Sequence, residues 1–142
     1  MKFLLDTVTF IEASRRRGHP RVKAWVNQLV PSQVWLSDML VAEYLAGLVL
    51  RPHGPARNAE FAYLLRGLKL FEFARLRPGV DYAFGRIKAQ MKRTVSDNDL
   101  WEGALAAFYG LAVATRNVNH FWPQPGVSVF DPWEGRAYAP TS

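Results

Sequence analysis

Short apolar runs alternate with longer amphipathic stretches along this chain. Phe3-Leu4-Leu5 between Lys2 and Asp6 predicts a central strand over residues 2–5 that ends at an acid. Residues 7–17 read as a helix stopped by Gly18 and Pro20. A second helix runs over 20–29, with proline in its first turn and Val22, Trp25, Val26 and Leu29 on one face. Pro31-Ser32 breaks that pattern, and residues 33–36 predict a second strand. Ser37 or Asp38 caps a long helix reaching about Leu50, and Arg51-Pro52-His53-Gly54-Pro55 forms a loop. A helix over 56–66 leads to Leu68-Lys69-Leu70-Phe71-Glu72-Phe73, whose pattern fits either a strand or an extended connection. Pro78-Gly79 turns the chain into a helix through about Lys92. Another helix starts near Asp97 and stops at Gly110. Residues 111–114 and 127–130 are β-prone, and the residues after about Trp133 read as a tail.

This alternation predicts an α/β domain of three layers, α/β/α, with a mainly parallel central sheet. Ligands in such sheets gather beyond the carboxyl ends of the strands. Asp6 lies just past the first strand, and Asn117 follows the 111–114 strand. Glu43 falls about two turns into its helix and Asp99 in the first turn of another, so both can lean over that edge. Asp6, Glu43 and Asp99, if gathered there, make a hard-oxygen pocket suited to Mg²⁺ or Mn²⁺. Each has a plainer reading: a strand-end turn residue, a surface glutamate, and a helix-terminal acid favoured by capping and by the dipole. Asp97 can serve the capping role and leave Asp99 for metal, and Asp38 reads as a cap rather than a ligand. Glu102, one turn after Asp99, either extends the pocket or faces water; we read it as accessory.

Charge narrows the partners. Eighteen Lys and Arg against twelve Asp and Glu give a net charge of +6, which favours polyanions or simply solubility. With 142 residues and a 49% apolar share, one globular domain with a real core is expected, and disorder is excluded. No apolar run is long enough to cross a bilayer, so no membrane association is expected; no signal-peptide pattern is read, and the absence of cysteine fits the cytoplasm. His19, His53 and His120 lack zinc spacing and read as solvent-exposed. No phosphate-cradling glycine loop or nucleophile motif occurs. Arg15-Arg16-Arg17 with Arg21 and Lys23 is a solvated helix end or a backbone-binding patch; Arg116, beside the pocket, is the better phosphate contact.

Several segments, taken in order, resemble the PIN-domain family, and within it the toxin ribonucleases of the VapC type. Met1–Thr7 resembles the family's opening strand and first metal-binding aspartate, and 20–26 its early helix. Leu36-Ser37 with Ala42-Glu43 and Gly47 resembles the segment carrying the metal-site glutamate. Asp99, followed by an alanine-rich helix to Gly110-Leu111, has the spacing of the third acid. Thr115-Arg116-Asn117 and 126–133 resemble the turn and closing strand beyond it. The resemblance covers residues 1–134 as a PIN-like nuclease domain, with 135–142 as a C-terminal tail.

It implies a metal-dependent endoribonuclease acting as the toxin of a type II toxin–antitoxin system. Asp6, Glu43, Asp99 and Asn117 form the implied catalytic set; the first three hold Mg²⁺ or Mn²⁺, and Thr7 and Arg116 contact substrate. An RNA substrate, products with a 5′ phosphate and a 3′ hydroxyl, a cognate VapB-type antitoxin and a homodimer are implied as well. The chain departs from the family at Val8, where asparagine is usual, and at Glu102, where isoleucine is usual; Asn117 replaces a fourth acid by a neutral oxygen donor. Val8 and Glu102 leave an alternative: a catalytically weakened PIN-fold module that binds RNA or a protein partner without cleavage.

Overall fold

A computed structural model of the chain describes residues 1–141. The elements run β1 (Phe3–Leu5), α1 (Thr7–Ser14), α2 (Pro20–Gln28), β2 (Val34–Ser37), α3 (Asp38–Val49), α4 (Pro55–Leu70), β3 (Glu72–Ala74), α5 (Val80–Gln90), α6 (Asp97–Tyr109), β4 (Ala112–Ala114), α7 (Val118–Phe121), β5 (Ser128–Asp131) and β6 (Arg136–Tyr138), with a 3₁₀ turn at Pro31–Gln33. One six-stranded sheet is ordered β3-β2-β1-β4-β5-β6, parallel except for β6.

The alternation of side chains along the strands divides the core between two faces. Leu4, Val113 and Val129 face α5, α6 and α7, where Ile87, Leu100, Leu105 and Phe121 complete a cluster. Phe3, Leu5, Val34, Leu36, Ala112 and Ala114 face the other way, against Phe10, Leu40, Tyr44, Leu48 and Leu64 of α1, α3 and α4. These two helical layers around one sheet are the three-layer α/β/α arrangement expected.

Strand order reverses between β1 and β4. From β1 the chain winds outward through β2 and β3, then returns to add β4 and β5 on the other side. The connections leaving β1 and β4 therefore go to opposite faces, α1 to one and α7 to the other, and open a crevice beyond the two carboxyl ends, the usual ligand position in such sheets. Asp6 closes one end and Thr115 the other.

Three boundaries differ from expectation. α1 ends at Ser14 rather than at residue 17, because the Lys23 ammonium donates to the carbonyls of Ala13 and Arg15, and Gly18 N–H closes a turn onto Arg15. Gly18 is required there: a Cβ would stand 1.9 Å from the Glu12 carbonyl oxygen. α4 continues through Leu70, since Leu64 and Gly67 sit on its buried face; only Glu72–Ala74 is strand. Finally, the stretch read as a tail is not all outside the sheet. Gly135, at φ 67°, donates to the Asp131 carbonyl and turns Arg136–Tyr138 back as β6, antiparallel to β5.

Candidate active site

Asp6 is the N-cap of α1, and its carboxylate is tied down from two sides. Oδ1 accepts from Thr9 N–H at 2.8 Å, and Oδ2 accepts from the Thr115 hydroxyl at the end of β4. The Thr115 hydroxyl in turn accepts from Asn117 N–H at 2.9 Å, so the Thr-Arg-Asn turn is folded onto the first acid. Burial pushes the Asp6 carboxyl above its ordinary range; the bonds from Thr115 and Thr9 pull it back, and the Asp99 charge raises it further.

The remaining acids arrive on α3 and α6. Ser37 caps α3 by accepting from Leu40 N–H at 3.1 Å, and Glu43, farther along, accepts from the Asn98 amide. α6 is capped by Ser96, whose hydroxyl accepts from Asp99 N–H at 3.2 Å. Asp99 therefore keeps its carboxylate free of the cap; it stands 3.1 Å from His120 Nδ1. Asp97 points away and pairs with Lys88 at 2.9 Å. One turn on from Asp99, Glu102 is fully buried, and its Oε1 accepts from the Ser37 hydroxyl at 2.9 Å. Burial, reinforced by Asp6, Glu43 and Asp99, pushes the Glu102 carboxyl up to about 8, against the pull of the Ser37 bond.

These side chains meet. A cleft of about 100 Å³ is lined by Asp6, Thr7, Val8, Glu43, Asn98, Asp99, Glu102, Asn117 and Phe121. The structure thus brings together Asp6, Thr7, Glu43, Asp99 and Asn117. Arg116 is not part of the cleft wall: it is exposed, with its guanidinium 5.8 Å from the Trp133 ring. Asp38 caps nothing; Ser37 holds that place, and Asp38 pairs with Arg75 at 3.4 Å. Glu102 is in the cleft rather than in water. His120, read as merely exposed, is also the partner of Asp99, and His19 caps α2.

Among the described residues no three acid or histidine side chains stand close enough to grip one ion between them. The carboxylates share the cleft at wider spacing, as like charges prefer. Mg²⁺ keeps several waters and binds protein through one or two carboxylates, so such an ion does not require a close trio. The donors are hard oxygens, and Glu102 Oε2 is buried without a hydrogen-bond partner, so the residues present fit such an ion.

Comparison with known proteins places the chain among relatives of the same fold. A family model described as PIN domain matches residues 3–121. The toxin FitB of Neisseria gonorrhoeae is 31% identical, over 92% of this chain and 97% of its own length. A VapC ribonuclease, Y4jK, of Sinorhizobium fredii is 29% identical, over 92% and 97%. The crystal structure of FitAcB from Neisseria gonorrhoeae superposes with a TM-score of 0.83 at 31% identity, covering 92% of this chain and 98% of that one.

Proposed function

The chain belongs to the PIN-domain family, and from that premise we propose that it is a Mg²⁺- or Mn²⁺-dependent endoribonuclease serving as the toxin of a toxin–antitoxin pair. One observation carries the reading. In a chain with a net charge of +6, four carboxylates share one cleft, and among the described residues none is paired with a lysine or arginine. Such a cluster is costly unless a cation joins it.

In this reading Asp6, Glu43 and Asp99 hold the ion, directly or through waters, and Asn117 adds a neutral oxygen. When bound, such an ion would acidify a water and offset the charge that grows on the phosphate oxygens. The protein supplies orientation. Thr9 and Thr115 fix the Asp6 carboxylate, Asn98 fixes Glu43, and His120 fixes Asp99. Water oxygen bonds to phosphorus as the P–O3′ bond breaks, and the proton passes to O3′, leaving a 5′ phosphate and a 3′ hydroxyl. Thr7, at the cleft edge, contacts the substrate strand; Arg116 meets a phosphate outside the cleft.

The same reading gives the chain a VapB-type antitoxin that blocks the cleft, and a homodimeric state. Its test is direct: the purified chain should cut single-stranded or structured RNA with Mn²⁺ present and stop with chelator. RNA left whole at all metal concentrations, with no stabilisation by Mn²⁺, would leave the weakened binding module instead. That alternative draws on the wide spacing of the acids and on exposed Val8 at the cleft wall. Expression alone should arrest growth, and co-expression of the antitoxin should relieve it.

A further inference from the structure

Three buried side-chain atoms lack a hydrogen-bond partner among the described residues: Trp35 Nε1, Gln124 Oε1 and Glu102 Oε2. Trp35 lies on β2, outside the cleft wall. Gln124 uses its amide to donate to the Asp99 and His120 carbonyls, and its oxygen is pressed so close to Gly103 that a Cβ there would lie 1.9 Å away. No ligand fits between them. Glu102 is different, because it lines the acidic cleft with only 2% of its surface exposed.

Its two oxygens are not equivalent. The Ser37 hydroxyl accepts from Leu40 N–H, which leaves its single proton to go to Glu102 Oε1. Oε1 is thereby committed, and the bond ties the start of the Glu43 helix to the helix carrying Asp99. Oε2 is left without a partner among the described residues, in a side chain that lines the cleft together with Asp6, Glu43 and Asp99. A buried acceptor left unsatisfied costs about 1–3 kcal/mol, so something in the working protein meets it.

We propose that Glu102 is a fourth carboxylate of the cation site, with Oε1 anchored by Ser37 and Oε2 meeting the divalent ion or a water bound to it. This rests on the function proposed above and deepens it. The present chain has aspartates and a glutamate at three acidic positions but asparagine at 117, and Glu102 restores a fourth negative donor from the floor of the cleft.

A rival role, a clamp between α3 and α6 through Ser37, makes a different prediction. Glu102→Gln keeps an oxygen for the Ser37 hydroxyl but turns an amide N–H₂ towards the ion. Metal-free protein should be titrated with Mn²⁺ by calorimetry, with thermal unfolding measured alongside. Glu102→Gln should bind Mn²⁺ about ten- to a hundredfold more weakly and lose most of the Mn²⁺-induced rise in Tm, while its metal-free Tm holds. Glu102→Ile should lose Mn²⁺ binding alike but, leaving the Ser37 hydroxyl without an acceptor, should also lower the metal-free Tm, and Asp6→Asn should bind least of all. Wild-type affinity in Glu102→Gln with loss in Asp6→Asn would overturn this proposal and leave the nuclease reading standing; no Mn²⁺ binding by the wild type would overturn both. Should both variants misfold, a Mn²⁺-soaked crystal of the wild type decides. Oε2 bonded to the ion or to one of its waters supports the proposal, and Oε2 turned away from both refutes it.

Discussion

Two groups of acids in this protein are treated in opposite ways. On the surface, Asp38, Glu60 and Asp97 each pair with a cation from another element or loop: Arg75, Arg51 and Lys88. In the cleft, Asp6, Glu43, Asp99 and Glu102 are held by threonine, asparagine, histidine and serine instead. Donors other than lysine and arginine fix where a carboxylate points without a permanent positive charge beside it. These surface acids are therefore electrically finished, whereas among the described residues the cleft acids have no lysine or arginine paired with them at the crevice beyond β1 and β4. A basic chain can approach RNA through its surface while holding an anionic pocket for a cation.

The largest expected break in this contrast comes from Asp6→Asn. The variant keeps the bonds to β4 and α1 but loses the charge, so RNA cleavage should fall by roughly three orders of magnitude, the equivalent of several kcal/mol of barrier, with circular dichroism unchanged. Cleavage within tenfold of wild type would show that the cleft charge is not what matters. Metal removal should come next. Dialysis against chelator should abolish cleavage, and restoring Mn²⁺ at a hundred times its Kd should return activity and add about 2.7 kcal/mol of stability. A Tm indifferent to Mn²⁺ would remove the reason for the unpaired acids.

The contrast also has a pH signature in metal-free protein. The Glu102 carboxyl lies at about 8 when folded, against an ordinary value of 4.5, chiefly because it is buried. The native state thus holds a proton that the unfolded chain has released. Its contribution is complete below the unfolded value and is lost as pH rises to the folded one. Denaturant unfolding should show stability declining over that window and levelling above it, by an amount on the order of a few kcal/mol. Asp6, also raised by burial, adds in the same direction. Glu102→Ile should flatten the decline. A stability that climbs over the same window would mean that Glu102 is already ionised and paired.

How much of this was legible beforehand follows from the physics of each element. Helices α2, α3, α5 and α6 have long apolar faces with proline, serine or glycine at their ends, and these were readable from periodicity. β6 was not, because Arg136-Ala137-Tyr138 is too short for alternation and is made a strand by the turn at Gly135. In the cleft, the spacing of Asp6, Glu43 and Asp99 from their strands and caps pointed to one sheet edge. Arg116 was drawn there by proximity in sequence, yet cation–π attraction and exposure keep it over Trp133. Asn98, Thr115, Ser37 and His120 escaped attention as partners because hydrogen bonds between distant segments leave no periodic trace. Glu102 left one: a charged residue within the apolar run of Leu100, Trp101, Gly103 and Ala104.

The smallest expected effect gives the tightest comparison, since Asp97 and Asp99 sit two residues apart in the same first turn. Both gain from the helix dipole, which is worth about 0.3–1 kcal/mol to an exposed acid. They differ in partner and in direction: Asp97 meets Lys88 in solvent, and Asp99 meets His120 beside the cleft. Exposed pairs such as the first contribute about 0–1 kcal/mol. Asp97→Asn should therefore cost only a few tenths of a kcal/mol of stability and leave RNA cleavage within about twofold. Asp99→Asn, made in parallel, should fold as well and cut RNA hardly at all. Propensity, dipole and sequence neighbourhood are matched between the two, so a difference in activity isolates what the cleft adds. Equal losses from both variants would mean that the whole turn, rather than the carboxylate facing Asp6 and Glu102, carries the chemistry.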